Sequence, residues 1–252
     1  MVELSFDGLA QEVHRKKGSF RKIEAHIQQI LKHPDIKLEV NSVFTPETVD
    51  LLSESMEYLM DLGVARIHFS LSTLTPWTPQ SLRTLNNQMV QLRKILLFYY
   101  QDNNGRIPVV NFQKAPKKGI FSCAAGKDRL AVSPEGKIWG CYLFADYFRG
   151  KEKSTGYRKF FFGSLDDFMK DYGRIYPHIC SNHTRLSMDN FSTPHMECLF
   201  CSELEECAIC PINAAFAGSP IGKIPAYMCE IQKIKIKERK RLEKQIQQIS
   251  SH

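Results

Sequence analysis

Cys198-Leu199-Phe200-Cys201-Ser202-Glu203-Leu204-Glu205-Glu206-Cys207-Ala208-Ile209-Cys210 places four thiols within thirteen residues, with two-residue gaps at both ends. Thiols at this spacing converge on one or two metal centres only if the backbone folds around them, so the stretch reads as a metal nucleus. Cys229 follows it, while Cys123, Cys141 and Cys180 precede it, which makes eight cysteines in 252 residues. Residues 1 to 122 contain none, so the chain divides near Cys123.

The apolar and charged fractions, 43% and 24%, are those of an ordinary globular protein. No apolar run approaches the ~18 residues of a membrane span. The N-terminus lacks the basic-then-apolar layout of a signal peptide, so a cytoplasmic location is expected. In a reducing compartment eight cysteines serve as ligands more readily than as disulfides. The net charge of +7 falls once thiolates bind metal, which makes it poor support for a polyanionic partner.

Outward from the cysteines, the first half alternates strands and helices. Val2 to Phe6 reads as a strand ending in the Asp7-Gly8 turn, and Ser19 as the cap of a helix carrying Phe20, Ile23, Ile27, Ile30 and Leu31. Lys37 to Phe44 is a second strand. Thr45-Pro46-Glu47 has the form of a helix start, with Gly63 as the stop. Val64 to Leu71 is a third strand, Pro79 to Tyr100 a long helix, and Ile107 to Phe112 a fourth strand. This order predicts a parallel sheet, whose ligands sit beyond the strands' carboxyl ends, near Ser5, Asp7, Asn41, Ser42 and Ser70 to Ser72.

In the second half, Asp128 to Ser133 and Lys137 to Leu143 read as a hairpin around Pro134-Glu135-Gly136, with Cys141 on its second strand. Arg149 to Lys159 reads as a polar loop, and Ser164 as the cap of a short helix. From Ile231 onward the basic run predicts a solvated terminal helix rather than a nucleic-acid or membrane anchor. No repeat and no low-complexity segment is evident. On spacing alone the four clustered thiols suit one tetrahedral zinc, and seven or eight suit two iron–sulfur cubanes.

The wider pattern runs Cys123, twelve residues, Gly136, four residues, Cys141, then C-x2-C-x5-C-x2-C from Cys198 to Cys210, then Cys229 after eighteen. It resembles the SPASM domain, the twin-cluster module at the C-terminus of many radical S-adenosylmethionine enzymes that modify peptides and proteins. The last pair is one residue shorter than the family's usual spacing. Ser5-Phe6-Asp7-Gly8, His14 and Gly18-Ser19-Phe20 are similar to the family's mid-barrel signature, and Leu38 to Asn41 to its next strand. The fold class so implied is α/β: a partial (β/α) barrel over 1–118, a small cysteine-rich α+β SPASM domain over 119–230, and a basic helix over 231–252.

The resemblance implies two auxiliary [4Fe–4S] clusters. Cys123, Cys141 and Cys210 would hold the inner one; Cys198, Cys201, Cys207 and Cys229 would hold the outer one. Cys180 is either the inner cluster's fourth ligand or a buried apolar residue. Ser5 matches a position that helps hold S-adenosylmethionine, with Asp7 beside it and Arg15 or Lys17 in the place of the family's arginine. Ser5 and Asp7 read equally as a strand end and its turn. Tyr142 stands where sulfatase-maturing members have an aspartate, which points to thioether-forming or other peptide chemistry. The implied partners are a peptide or protein substrate and a ferredoxin- or flavodoxin-type electron donor.

The family cleaves its cofactor at a cluster bound by C-x3-C-x2-C, and no such motif occurs here. The expectation is therefore a C-terminal part whose N-terminal half is missing, a split enzyme, or a degenerate scaffold, with S-adenosylmethionine bound only when the missing half is present. A non-catalytic iron–sulfur electron-transfer module and a zinc-stabilised structural domain are the alternatives.

Overall fold

The structure is a computed structural model and describes residues 1–72, 74–113, 125–126, 129–173, 175–177, 200–210 and 212–250. They form two compact units, Met1–Pro116 with Tyr227–His252, and Lys117–Ala226.

In the first unit, β1 (Val2–Ser5), β2 (Leu38–Phe44) and β3 (Ile67–Leu71) pair in parallel in that order. Burial alternates along β2: Leu38, Val40, Ser42 and Phe44 are buried, while Glu39, Asn41 and Val43 stay partly exposed. The period of two thus gives the sheet one apolar and one polar face. Helices α1 (Gln11–His14), α2 (Ser19–Leu31), α3 (Leu52–Asp61) and α4 (Pro79–Asp102) connect and follow the strands. The core draws Ile27 from α2, Leu52, Met56 and Leu59 from α3, and Leu85, Met89, Leu92 and Leu96 from α4. Each such side chain contributes about 1.5–3 kcal/mol by leaving water.

Three local expectations change. Ser19 is the first residue of α2 rather than its cap, because its hydroxyl accepts a bond from Gln11 Nε2 at 3.1 Å. Thr45 turns the chain instead of starting a helix; it bonds with Thr48 across the turn, and α3 begins only after a 3-10 turn at Val49–Leu51. The fourth strand reduces to one parallel bridge, Ile67 to Val109, followed by a 3-10 turn at Val110–Phe112. Pro108 lacks an N–H, and the Asn111 side chain replaces the ladder, accepting from Phe69 N and donating to Phe69 O, both at 2.9 Å. By contrast Thr78 caps α4 as a Thr-Pro start should, accepting from Ser81 N at 3.1 Å.

The basic C-terminal run forms a helix, Ala226–Ser250, but it is not solvated all round. Met228, Ile231, Ile236 and Leu242 are buried, and so are Glu238 and Arg239. Glu238 accepts from Arg93 of α4 at 2.9 Å and from Arg241 at 2.7 Å, and Arg93 also donates to Gln245 at 2.5 Å. A charge run is drawn inward here because a cation 145 residues away meets it, which no local pattern announces.

In the second unit β4 (Ala131–Val132), β5 (Lys137–Trp139) and β6 (Phe161–Ser164) form an antiparallel sheet in that order. The expected hairpin is shorter than its sequence pattern. β5 stops at Trp139 because Gly140 passes against the Ala125–Gly126 backbone, whose Gly126 N–H donates to Gly140 O at 3.3 Å. A Cβ at Gly140 would sit 3.2 Å from that backbone. Cys141 accordingly lies at the cap of α5 (Tyr142–Phe148), not on the strand. The polar stretch expected as a loop contains α6 (Thr155–Phe160), and Ser164 caps α7 (Leu165–Lys170), accepting from Asp167 N at 3.1 Å. Trp139 centres the core, stacked on Phe148 at 5.7 Å and edge-on to Tyr157 at 5.1 Å. Among the described residues no helix is long and apolar enough to cross a membrane.

Candidate functional site

The parallel register aligns Ser5, Asn41 and His68 across the three strands, and residues so paired share one face. That face also carries Glu3, Glu39 and Ser70, while the opposite one is apolar apart from the buried Ser42, whose hydroxyl donates to Phe6 O at 2.7 Å. At its carboxyl end β1 runs into Asp7 and Gly8. Gly8 adopts φ +59°, and a Cβ there would meet Ser55 Cβ at 2.6 Å, so only glycine lets the loop settle on α3.

Asp7 is 5% exposed and its carboxylate is fully committed. Arg15 Nε donates to Oδ2, Arg15 Nη2 donates to Oδ1 at 3.1 Å, and the Val43 N–H donates to Oδ1 at 2.8 Å. Arg15 Nη2 also reaches Ser5 Oγ at 2.9 Å. Ser5, Asp7 and Arg15 therefore form one brace over the strand ends, in which Asp7 holds the guanidinium in place. The serine hydroxyl hydrogen and the second guanidinium nitrogen are left as outward donors, a pair suited to a carboxylate. Lys17 is exposed and stands outside the brace.

No motif announces His68; the alternation of Ile67, Phe69 and Leu71 against His68 and Ser70 is its one sequence signal. Its Nδ1 lies 3.2 Å from Asn41 Oδ1, an acceptor, so the neutral ring donates there. Asn41 Nδ2 in turn lies 3.4 Å from Glu3 Oε1, and Glu39 pairs with Arg66. Burial first, and then the Lys235 charge, push the His68 pKa below 6.5, against the opposing pull of Glu39 and Glu3. The fold therefore favours neutral His68, and below pH 6.5 the unfolded chain takes the proton first, so stability falls as the pH drops through that window. Chemical denaturation at pH 7 and pH 5 should show a smaller acid loss in His68→Gln than in the unmodified chain; equal losses would refute this role.

The described thiols are Cys141, Cys201, Cys207, Cys210 and Cys229, all half-buried. Cys123, Cys180 and Cys198 lie outside the described residues. Cys141 and Cys210 pack against the same core, that of Trp139, Phe144, Phe148 and Ile212. Partial burial, then the neighbouring Cys141, Cys210 and Asp146, raise the Tyr142 pKa, which places both thiols beside one phenol. Cys201 and Cys207 flank consecutive turns closed by Leu204 N to Cys201 O and Cys207 N to Leu204 O. Cys229 lies in the first turn of the C-terminal helix and belongs to the first unit.

Among the described residues no three His, Cys, Asp or Glu side chains gather as a metal site. Near Cys141 and Cys210 two buried polar atoms lack partners among the described residues. Trp139 Nε1, two residues before Cys141, is a buried donor with no acceptor among the described residues. Asn213, whose N–H bonds to Cys210 O at 3.3 Å, has a buried side-chain oxygen without a partner among them. Buried polar atoms are rarely left so; an indole N–H can donate to a thiolate or sulfide, whereas an amide oxygen, an acceptor, cannot.

The fold is mixed α/β with a parallel sheet. No protein-family model matches the sequence, and no curated protein matches it. Among solved structures the chain is similar to anSMEcpe, an anaerobic sulfatase-maturating enzyme. The polyhistidine-tagged protein with bound AdoMet has a TM-score of 0.64 at 16% identity, covering 96% of this chain and 64% of that one. Native anSMEcpe with bound AdoMet gives 0.63 at 16%, covering 96% and 67%. With AdoMet and the Kp18Cys peptide it gives 0.61 at 16%, covering 96% and 68%. At this identity the likeness is one of fold, and the chain spans about two thirds of the solved chains' length.

Proposed function

We propose that the chain supplies the substrate face and auxiliary-cluster portion of a radical S-adenosylmethionine enzyme acting on a peptide. The observation that carries this reading is the Ser5–Asp7–Arg15 brace at the carboxyl ends of a parallel sheet, in a chain whose fold matches AdoMet-bound structures over 96% of its length. With a reduced cluster on a C-x3-C-x2-C part, the bound cofactor would supply hydrogen-atom abstraction. Arg15 and Ser5 hold its carboxylate, Asp7 fixes the guanidinium, and the polar face of Asn41, His68 and Glu3 orients the substrate and exchanges protons with it. Cys141 and Cys210, with Cys123, hold the inner [4Fe–4S] cluster. Cys198, Cys201, Cys207 and Cys229 hold the outer one, and Cys180 is open to the inner cluster's fourth iron. A ferredoxin- or flavodoxin-type protein supplies electrons. Tyr142 in the aspartate's place keeps the proposed chemistry to thioether formation or another peptide modification rather than sulfatase maturation.

Equilibrium dialysis of labelled S-adenosylmethionine against the chain, anaerobically reconstituted together with a polypeptide that carries the C-x3-C-x2-C part, tests the brace. Asp7→Ala releases Arg15 and leaves the Val43 N–H without its acceptor, so binding should weaken by about tenfold or more, the worth of one lost charge-assisted contact. Unchanged affinity would sink the assignment. The absence of C-x3-C-x2-C favours a second reading, a non-catalytic iron–sulfur scaffold, which requires full iron loading without cofactor binding.

A further inference from the structure

The C-terminal helix and α4 run side by side in one direction: Pro79 to Asn87 lie opposite Glu230 to Lys237, and further along Arg93 meets Glu238 and Gln245. Between their first halves opens a groove of about 530 Å³. Its floor is apolar, from Leu82 and Ile234, and its rim carries Arg83, Lys233 and Lys237. The one carboxylate among its described lining residues, Glu230, is bonded to Lys233 at 3.2 Å. Three cations against one anion leave the rim positive. Asn86 and Asn87 add amides that both donate and accept, as a peptide backbone requires.

Eight residues of helix span about 12 Å, which accommodates about three or four residues of extended chain. The groove is thus too long and too apolar at its base for a single phosphate. It starts where β3 hands over to α4, on the side of the sheet at which the strands end and the Ser5–Asp7–Arg15 brace lies. We propose that it docks an acidic, partly apolar segment of the peptide substrate, aromatic or aliphatic side chains on the floor and carboxylates against the rim. This rests on the peptide-substrate reading above and gives that substrate a charge.

Fluorescence anisotropy of the full chain with short labelled peptides tests it, using alternating Glu-Leu, Glu-Ser and Lys-Leu sequences. The Glu-Leu peptide should bind best and bind more weakly as salt rises, because exposed charge pairs are screened. Arg83→Glu combined with Lys237→Glu should weaken it by about tenfold or more and favour Lys-Leu instead. Both positions are exposed, and an unchanged thermal melt shows that the variant is folded; Lys233→Glu repeats the test independently. Equal binding of Glu-Leu and Lys-Leu peptides, indifference to charge reversal, or Glu-Ser binding as well as Glu-Leu would each overturn the proposal. An acidic peptide that binds the groove but keeps its mass in the enzyme assembled with a C-x3-C-x2-C part and loaded with cofactor overturns the peptide-modification reading and leaves the groove standing. A peptide that is modified while ignoring the reversal does the opposite.

Discussion

Arg93→Ala is expected to lower the stability of the chain by about 3 kcal/mol, read from the urea midpoint at constant slope. Glu238 is fully buried and Arg93 only 13% exposed, so the pair has little solvent to fall back on. Removing the arginine strands a carboxylate in the interior with one remaining partner, Arg241, whose side chain is 53% exposed. It also takes a donor from Gln245. Arg241→Ala, which removes the exposed partner alone, should cost under about 1 kcal/mol, as surface pairs do. The contrast isolates burial as the cause. Similar losses in the two variants, or a loss under about 1 kcal/mol in the first, would mean that the ion pair does not fasten the C-terminal helix to α4.

Cys141→Ala is expected to halve the iron of the anaerobically reconstituted chain, from about eight atoms to about four, with a parallel loss of sulfide. Cys207→Ala should remove the other half, and since thiolate–metal bonding and folding are coupled, it should also loosen the second unit. Full iron in Cys141→Ala refutes its place as a ligand. Stoichiometric zinc without sulfide in the unmodified chain refutes the cluster reading altogether and favours the zinc-stabilised domain. Cys180→Ala separates its two roles: iron loss makes it a ligand, and a full load makes it structural.

The strand and helix order was legible because it is written in local periods. β2 alternates, α4 carries Leu85, Met89, Leu92 and Leu96 at helical spacing, and Ser164 announces its helix. Boundaries failed where a distant group competed for a local bond. Gln11 took the Ser19 hydroxyl, Asn111 took the place of a fourth strand, and the Ala125–Gly126 backbone ended β5 at Trp139. His68 escaped notice because one histidine in a strand carries no motif; its role appears only when the register sets it beside Asn41.

By itself the sequence determined the parallel α/β character of the first part and the thiols on which any metal chemistry must draw. These follow from composition, period and spacing, which are properties of neighbours along the chain. The tertiary structure alone joined Arg15 to Ser5 and Asp7, brought Cys141 and Cys210 to one core, and turned a basic tail into a packed helix with a cationic groove. Each of those outcomes depends on residues far apart in sequence meeting at hydrogen-bond or packing distance, where the free energy of pairing a buried charge exceeds any local preference.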